Sequence, residues 1–279
     1  MKYLDFLNLI QAKYTIDTDL SRDIKWLISY SINPHIQMNF LDNPDIPDNL
    51  IDELLTKVDL LANDTPLAYV LGNAEFYGNL FCVTPDTLIP RPETELLCER
   101  IIKDHKHHST PLDILDMCTG SGCIAITLAK NLTSNVTAVD VSTPALDVAK
   151  LNAQNLHTNI NFVHSNMFDN VTGKFDIIVS NPPYIQSATI DTLDTSVRNF
   201  EPHLALDGGI DGLDFYKTIA DYAPIFLKPN GKLYLEIGYD QAPQITQLLT
   251  TNFIDICVIQ DYNNLDRIIT AKLRSKNND

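Results

Sequence analysis

Up to about residue 73, apolar positions recur at three- and four-residue intervals. The runs FLNLIQAKY, IKWLISYSI and IDELLTKVDLLA each carry such a stripe, and that period predicts three amphipathic helices. Asn33-Pro34 and the turn-rich stretch DNPDIPDN interrupt the pattern, and Asp48 or Asn49 is placed to cap the helix that follows. Over 75–90, EFYGNLFCVTPDTLIP is aromatic and β-branched, which predicts a β-hairpin turning at Gly78-Asn79. A helix from about Glu93 to His105 comes next. From Leu112 onward the runs LDILDM, NVTAVDV, NINFVHS, FDIIVS, KLYLEIG, DICVIQ and RIITAKL read as strands. Helical stretches fall between most of them, at Cys123–Lys130, Pro144–Asn155, Phe215–Phe226 and Gln241–Leu249. Such alternation predicts an α/β fold, a mostly parallel sheet covered on both faces. The last two strands are too close for a helical crossover, so they are expected to form an antiparallel edge hairpin. The organisation expected is a helical module at 1–73, a hairpin linker at 74–90 and an α/β domain at 91–279.

Composition narrows the classes. Hydrophobic residues make up 44% of 279 and charged residues 20%, so there is material for a core and no signature of disorder. The start, MKYLDFLNLIQAKY, does not read as a signal peptide, and no apolar run is long enough to span a bilayer. A cytoplasmic protein with no membrane partner is the expectation. The net charge is −16, and residues 1–90 alone hold five basic against thirteen acidic residues. That field repels a phosphate backbone, so no direct nucleic-acid binding is expected. Cys82, Cys98, Cys118, Cys123 and Cys257 form no C-x-x-C pair and read as reduced thiols. His105, His107 and His108 lie in the polar run KDHKHHST, read as a solvated loop, so no metal site is expected.

The chemistry gathers at strand ends, where open α/β sheets bind ligands. The first parallel strand ends in Asp116-Met117-Cys118-Thr119-Gly120-Ser121-Gly122 and runs directly into a helix. Glycines let that turn approach a ligand closely. It has neither the lysine of a phosphate-binding P-loop nor the third glycine of a dinucleotide fingerprint. Asp140, 24 residues on, ends the second strand, where a carboxylate accepts hydrogen bonds from the ribose hydroxyls of an adenosyl group. Ser142 or Thr143, rather than Asp140, is placed to cap the next helix. After the third strand, Asn166 and Met167 are placed to flank an adenine ring.

The fourth strand, FDIIVS, ends in Asn181-Pro182-Pro183-Tyr184. Two prolines remove two backbone donors and leave carbonyl acceptors. With the Asn181 side-chain oxygen and the flat ring of Tyr184, the set suits a planar –NH2 group. The nitrogen of such a group is a poor nucleophile because its lone pair is delocalised. Acceptors for both N–H bonds let charge build on it during methyl transfer.

The sequence closely resembles the HemK-type protein-(glutamine-N5) methyltransferases of peptide-chain release factors. The likeness extends over nearly the whole chain, through Pro66–Gly72, Glu75–Gly78, Thr87–Glu95, Val197-Arg198, Phe200–Pro202 and Asp261-Tyr262 with Arg267. NPPY alone is shared with adenine-N6 methyltransferases, so these flanking blocks discriminate. The resemblance implies a class I, Rossmann-like methyltransferase domain, a helical N-terminal domain that helps seat the protein substrate, and S-adenosyl-L-methionine as cofactor. It implies cofactor contacts at Cys118–Gly122, Asp140, Met167 and Asn181, and substrate contacts at Asn181–Tyr184. Cys118 stands where the family has glycine, Met167 where an aromatic is common, and Asn166 where an acid is common. The substrate implied is the glutamine of a Gly-Gly-Gln loop. A ribosomal-protein glutamine methyltransferase, an adenine-N6 nucleic-acid methyltransferase and a non-enzymatic adenosine-binding module are the alternatives.

Overall fold

The computed structural model describes residues 1–33 and 38–275, so Pro34 of the expected Asn33-Pro34 break lies outside the described residues. The described chain divides into two compact units, Met1–Gly72 with Asp194–Phe200, and Asn73–Leu193 with Glu201–Asp279.

In the first unit, helices α1 (Tyr3–Gln11), α2 (Thr18–Ile32), α3 (Ile51–Leu61) and α4 (Leu67–Leu71) bury the apolar stripes that their spacing dictates. Phe6 and Ile10, Ile24 and Ile28, and Leu54, Val58 and Leu61 share one core. Asp17 caps α2 by accepting from the Leu20 amide at 2.8 Å. Neither Asp48 nor Asn49 caps α3. A 3-10 turn, Asp48–Leu50, leads into α3, and the Asp48 carboxylate binds the N-terminal ammonium at 2.8 Å.

The second unit opens with the hairpin of β1 (Asn73–Phe76) and β2 (Asn79–Cys82). Its turn is centred one residue earlier than expected. Tyr77 and Gly78 take φ of 49° and 68°, the paired left-handed residues of a two-residue hairpin turn, and Asn79 begins the second strand. The elements that follow are α5 (Pro92–His105), β3 (Leu112–Met117), α6 (Cys123–Asn131), β4 (Ser134–Asp140), α7 (Thr143–Asn155), β5 (Ile160–His164) and β6 (Phe175–Ser180). After α8 (Thr195–Phe200), which groups with the first unit, come α9 (Asp214–Phe226), β7 (Leu227–Glu236), α10 (Ala242–Leu249), β8 (Phe253–Gln260) and β9 (Asp266–Leu273).

The seven-stranded sheet has the order β5-β4-β3-β6-β7-β9-β8. Its first five strands are parallel, and β9 inserts antiparallel between β7 and β8. Alternate strand residues feed two cores. Leu115, Met117, Ile178, Leu233 and Leu235 pack beneath α9 and α10, while Ile114, Ile177, Val179 and Tyr234 pack with α5 and α6. The winding reverses between β3 and β6, which opens a crevice at their carboxyl ends. No helix among the described residues is long and apolar enough to cross a membrane.

His105 departs from the solvated-loop expectation. It ends α5 with its Nε2 3.0 Å from the Tyr234 hydroxyl, and burial pushes its pKa down to about 4. Tyr234 spends its own proton on Asp104 at 2.9 Å, so His105 is the donor.

Candidate active site

A cleft enclosing about 960 Å3, its open mouth included, lies over the carboxyl ends of β3, β4, β5 and β6. Cys118, Thr119, Gly120, Ser121, Asp140, Asn166, Met167, Asn181 and Pro183 line it. Asp116, Gly122, Pro182 and Tyr184 are not on its wall.

Asp116 sits beneath the glycine turn. Its Oδ2 accepts from the Thr119 hydroxyl at 2.6 Å and the Ala125 amide at 3.1 Å, so it pins the loop to the first turn of α6. Its Oδ1 is buried without a partner among the described residues, and burial pushes the carboxyl up to about 7. Gly122 packs closely. A Cβ there would meet Ala149 at 3.1 Å, and its φ of 80° already favours glycine. Gly120 is different: its φ is 54°, and a Cβ would project into open space.

Cys118 and Met167 both adopt left-handed φ, 62° and 47°, and their sulfurs approach to 3.9 Å. Two non-glycine residues held this way on one cleft wall are a local store of strain. Burial pushes the Cys118 thiol up, and that of Cys123 up to about 12, so both are neutral.

The Asp140 carboxylate accepts from the Gly120 amide at 2.8 Å and the Ser142 amide at 2.9 Å, one bond to each oxygen. Each oxygen has two lone pairs, so acceptor capacity is left for a ligand. Ser142, not Asp140, caps α7, accepting from the Ala145 amide at 3.2 Å, as expected.

The Asn181 Nδ2 donates to the Thr94 hydroxyl at 3.2 Å, and Thr94 donates to Glu236 Oε2 at 2.7 Å. Burial pushes the Glu236 carboxyl up to about 7 against the opposing pull of Thr94 and Arg267, and Glu93 adds to the rise. The Tyr184 ring packs, partly buried, against the core under α9, and its hydroxyl is pushed up to about 12 by burial. Gln241 Nε2 donates to the Tyr184 carbonyl at 2.9 Å. Just after that turn, Ile185 bridges the 206–208 segment: its carbonyl accepts from the Gly208 amide at 2.8 Å and its own amide donates to the Leu206 carbonyl at 3.0 Å. Glu201, next to the lining residue Pro202, is ion-paired with Arg91 and accepts from the Ile89 amide at 3.2 Å, tying the segment before α5 to Pro202–Ala205. Sequence reasoning gave no role to Gly208, Glu236 or Gln241, and reached Thr94 only as one residue of the Thr87–Glu95 block. Among the described residues no group of three His, Cys, Asp or Glu is arranged to hold a metal ion.

The family model for the methyltransferase small domain matches residues 92–264. A release factor glutamine methyltransferase of Geobacter sulfurreducens is 38% identical over 257 residues, which cover 90% of this chain and 89% of that protein. Another, of Lactococcus lactis, is 39% identical over 271 residues, 94% of this chain and 99% of that protein. Among solved structures, a methyltransferase from Pyrococcus furiosus shares the fold with a TM-score of 0.55 at 18% identity, over 71% of this chain and 90% of that one.

Proposed function

The chain belongs to the release factor glutamine methyltransferases, and on that premise we propose that it transfers a methyl group from S-adenosyl-L-methionine to the side-chain amide nitrogen (N5) of the glutamine in the Gly-Gly-Gln loop of peptide-chain release factors. The observation that carries this reading is the placement of Asn181 and Pro183 on the same cleft as Gly120 and Asp140. Residues suited to an adenosyl group and acceptors suited to a planar –NH2 line one cleft.

The residues present fit the cofactor. The Asp140 carboxylate, with acceptor capacity to spare, would hold the ribose hydroxyls. Gly120, whose missing side chain leaves open space, would admit the ligand to the backbone of the turn. Met167 and Asn166 would flank the adenine, the amide of Asn166 meeting its polar edge. When bound, the cofactor supplies a methyl group on a positively charged sulfur. The chain's own part is to prepare the nitrogen. Asn181 Oδ1, on the cleft wall, and the carbonyl of Pro182, which lies between the wall residues Asn181 and Pro183, would accept the two N–H bonds of the glutamine amide, favouring the form in which nitrogen loses its conjugation and gains positive charge. Tyr184, one residue beyond the wall residue Pro183, would offer the flat face of its ring to an amide that enters past that wall, with burial keeping its hydroxyl protonated. A release factor as substrate would put the enzyme's work in the cytoplasm, with the translation machinery.

The test is incubation with labelled cofactor and three candidates: a folded release factor, ribosomal proteins and duplex DNA. Mass spectrometry should find the label on a release-factor glutamine. Label on adenine, with none on protein, would refute the reading, and label confined to a ribosomal protein would move the substrate.

Asp140→Ala should weaken cofactor binding by about 1.5–3 kcal/mol, the scale of hydrogen bonds to a charged group. Calorimetry on the folded variant checks this, and an unchanged affinity would remove Asp140 from the ribose role.

A further inference from the structure

We propose that Thr94 and Glu236 act as a positioning relay that fixes which edge of the Asn181 amide is presented to the reacting nitrogen. The proposal rests on the reading of Asn181 as an acceptor for the glutamine –NH2. The relay joins three elements: the first turn of α5, the last residue of β7 and the loop that follows β6. Thr94 and Glu236 are each only 2% exposed, so water does not compete for their hydrogen bonds.

The logic is one of proton counting. A threonine hydroxyl has a single proton, and Thr94 gives it to Glu236 Oε2 at 2.7 Å. Its oxygen is then an acceptor only, and of the two edges of the Asn181 amide only the –NH2 can meet it, as it does at 3.2 Å. Because the amide is planar, Oδ1 is turned away from Thr94, and Asn181 lines the cleft. Glu236 also exerts a hydrogen-bond pull of its own on this amide, so losing the Thr94 hydroxyl weakens the hold without abolishing it, and the amide turns more readily about its terminal torsion, which is broad and roughly two-fold. It would then offer a donor to the donors of the substrate. A charged carboxylate at 236 cannot donate, so it sets the direction of the whole chain of bonds. The mount is itself fixed, because the ion pair of Arg91 with Glu201 and the Ile89 amide bond to Glu201 hold the segment that leads into Thr94. Neither Thr94 nor Glu236 supplies an acceptor to the substrate in this arrangement. They are positioning residues.

Single-turnover rates with saturating cofactor and a folded release factor, in mildly alkaline buffer that keeps Glu236 charged, test the relay. Thr94→Val fills the same volume without the hydroxyl, and the rate should fall about tenfold, on the scale of one buried hydrogen bond lost, while cofactor affinity measured by calorimetry holds within about twofold. Thr94→Ser keeps the hydroxyl and should recover most of the rate. Thr94→Val combined with Asn181→Ala should be no slower than Asn181→Ala alone, since the relay acts only through that amide. A wild-type rate in Thr94→Val, a Thr94→Ser variant as slow as Thr94→Val, or additive losses in the double variant would each overturn the relay. If the wild-type chain leaves the release-factor glutamine unlabelled, the functional reading fails and the relay falls with it. A wild-type chain that is active beside a fully active Thr94→Val overturns the relay alone.

Discussion

Replacing Asn181 with alanine is expected to slow methyl transfer by about 10²–10³-fold, the range for removing one preorganised hydrogen-bond partner of a reacting group. The loss should fall mainly on the chemical step. An acceptor on the amide N–H matters little while the glutamine nitrogen is neutral and conjugated, and most when that nitrogen becomes positive. The cofactor meets a wall that also includes Gly120, Asp140, Asn166 and Met167, so losing one contact there should cost it less. Single-turnover kinetics with saturating cofactor, set beside calorimetric affinities, separates the two effects. If rate and cofactor affinity drop by the same factor, Asn181 is a cofactor ligand and not an acceptor for the substrate amide.

Asn181 was visible in the sequence because it lies in a short linear motif at the end of a strand that cannot be mistaken. β3 and β6 are buried on both faces, so LDILDM and FDIIVS are dominated by apolar residues with no strict alternation, interrupted by Asp113, Asp116 and Asp176, and the structure begins and ends those strands where the runs do. β7 was legible only in its second half. It starts at Leu227 in LKPNG, where Pro229 and Gly231 read as a turn, and a register irregularity between Phe175 and Ile177 lets β6 pair with it regardless. α4 is five residues long, too short to display a period. The turn at Tyr77-Gly78 was displaced because a bulky residue seldom takes positive φ, and Gly78-Asn79 is the better turn pair on local preference. The order β7-β9-β8 has no local signature, since pairing partners are chosen by the sheet. The same holds for the supports of the candidate site. Thr94 lies 87 residues from Asn181 and 142 from Glu236, and a threonine in a first helical turn is ordinary in its own neighbourhood. The Thr87–Glu95 block contains it, but only its position in space shows which side chains it serves.

Gly208 is another such position, and Gly208→Ala should slow methyl transfer about a hundredfold while cofactor affinity stays within a few-fold, as expected when reacting groups are misplaced by about an ångström. The constraint is space. Gly208 does not have positive φ, so alanine suits its backbone. A Cβ at 208 would nevertheless lie 2.7 Å from Tyr184 Cα, 2.9 Å from Pro183 O and 2.9 Å from Tyr184 C. These are backbone atoms of the loop that offers acceptors to the substrate, and no side chain can swing aside to make room. The strand-like bonds at 2.8 and 3.0 Å between residues 185, 206 and 208 prevent the two segments from separating freely, so the displacement passes into Pro183 and Tyr184. Gln241 holds the Tyr184 carbonyl from another direction at 2.9 Å, which narrows the routes by which the loop can yield. Overpacking of this kind should also cost about 1–3 kcal/mol of stability, so thermal unfolding must first establish the temperature at which the variant is folded. Under that condition, the ratio of single-turnover rate to cofactor affinity decides the matter. A folded Gly208→Ala variant with the wild-type rate would mean that the turn shifts without moving the acceptors, and that Asn181 alone, held from its Thr94 side, sets the geometry of the reacting amide.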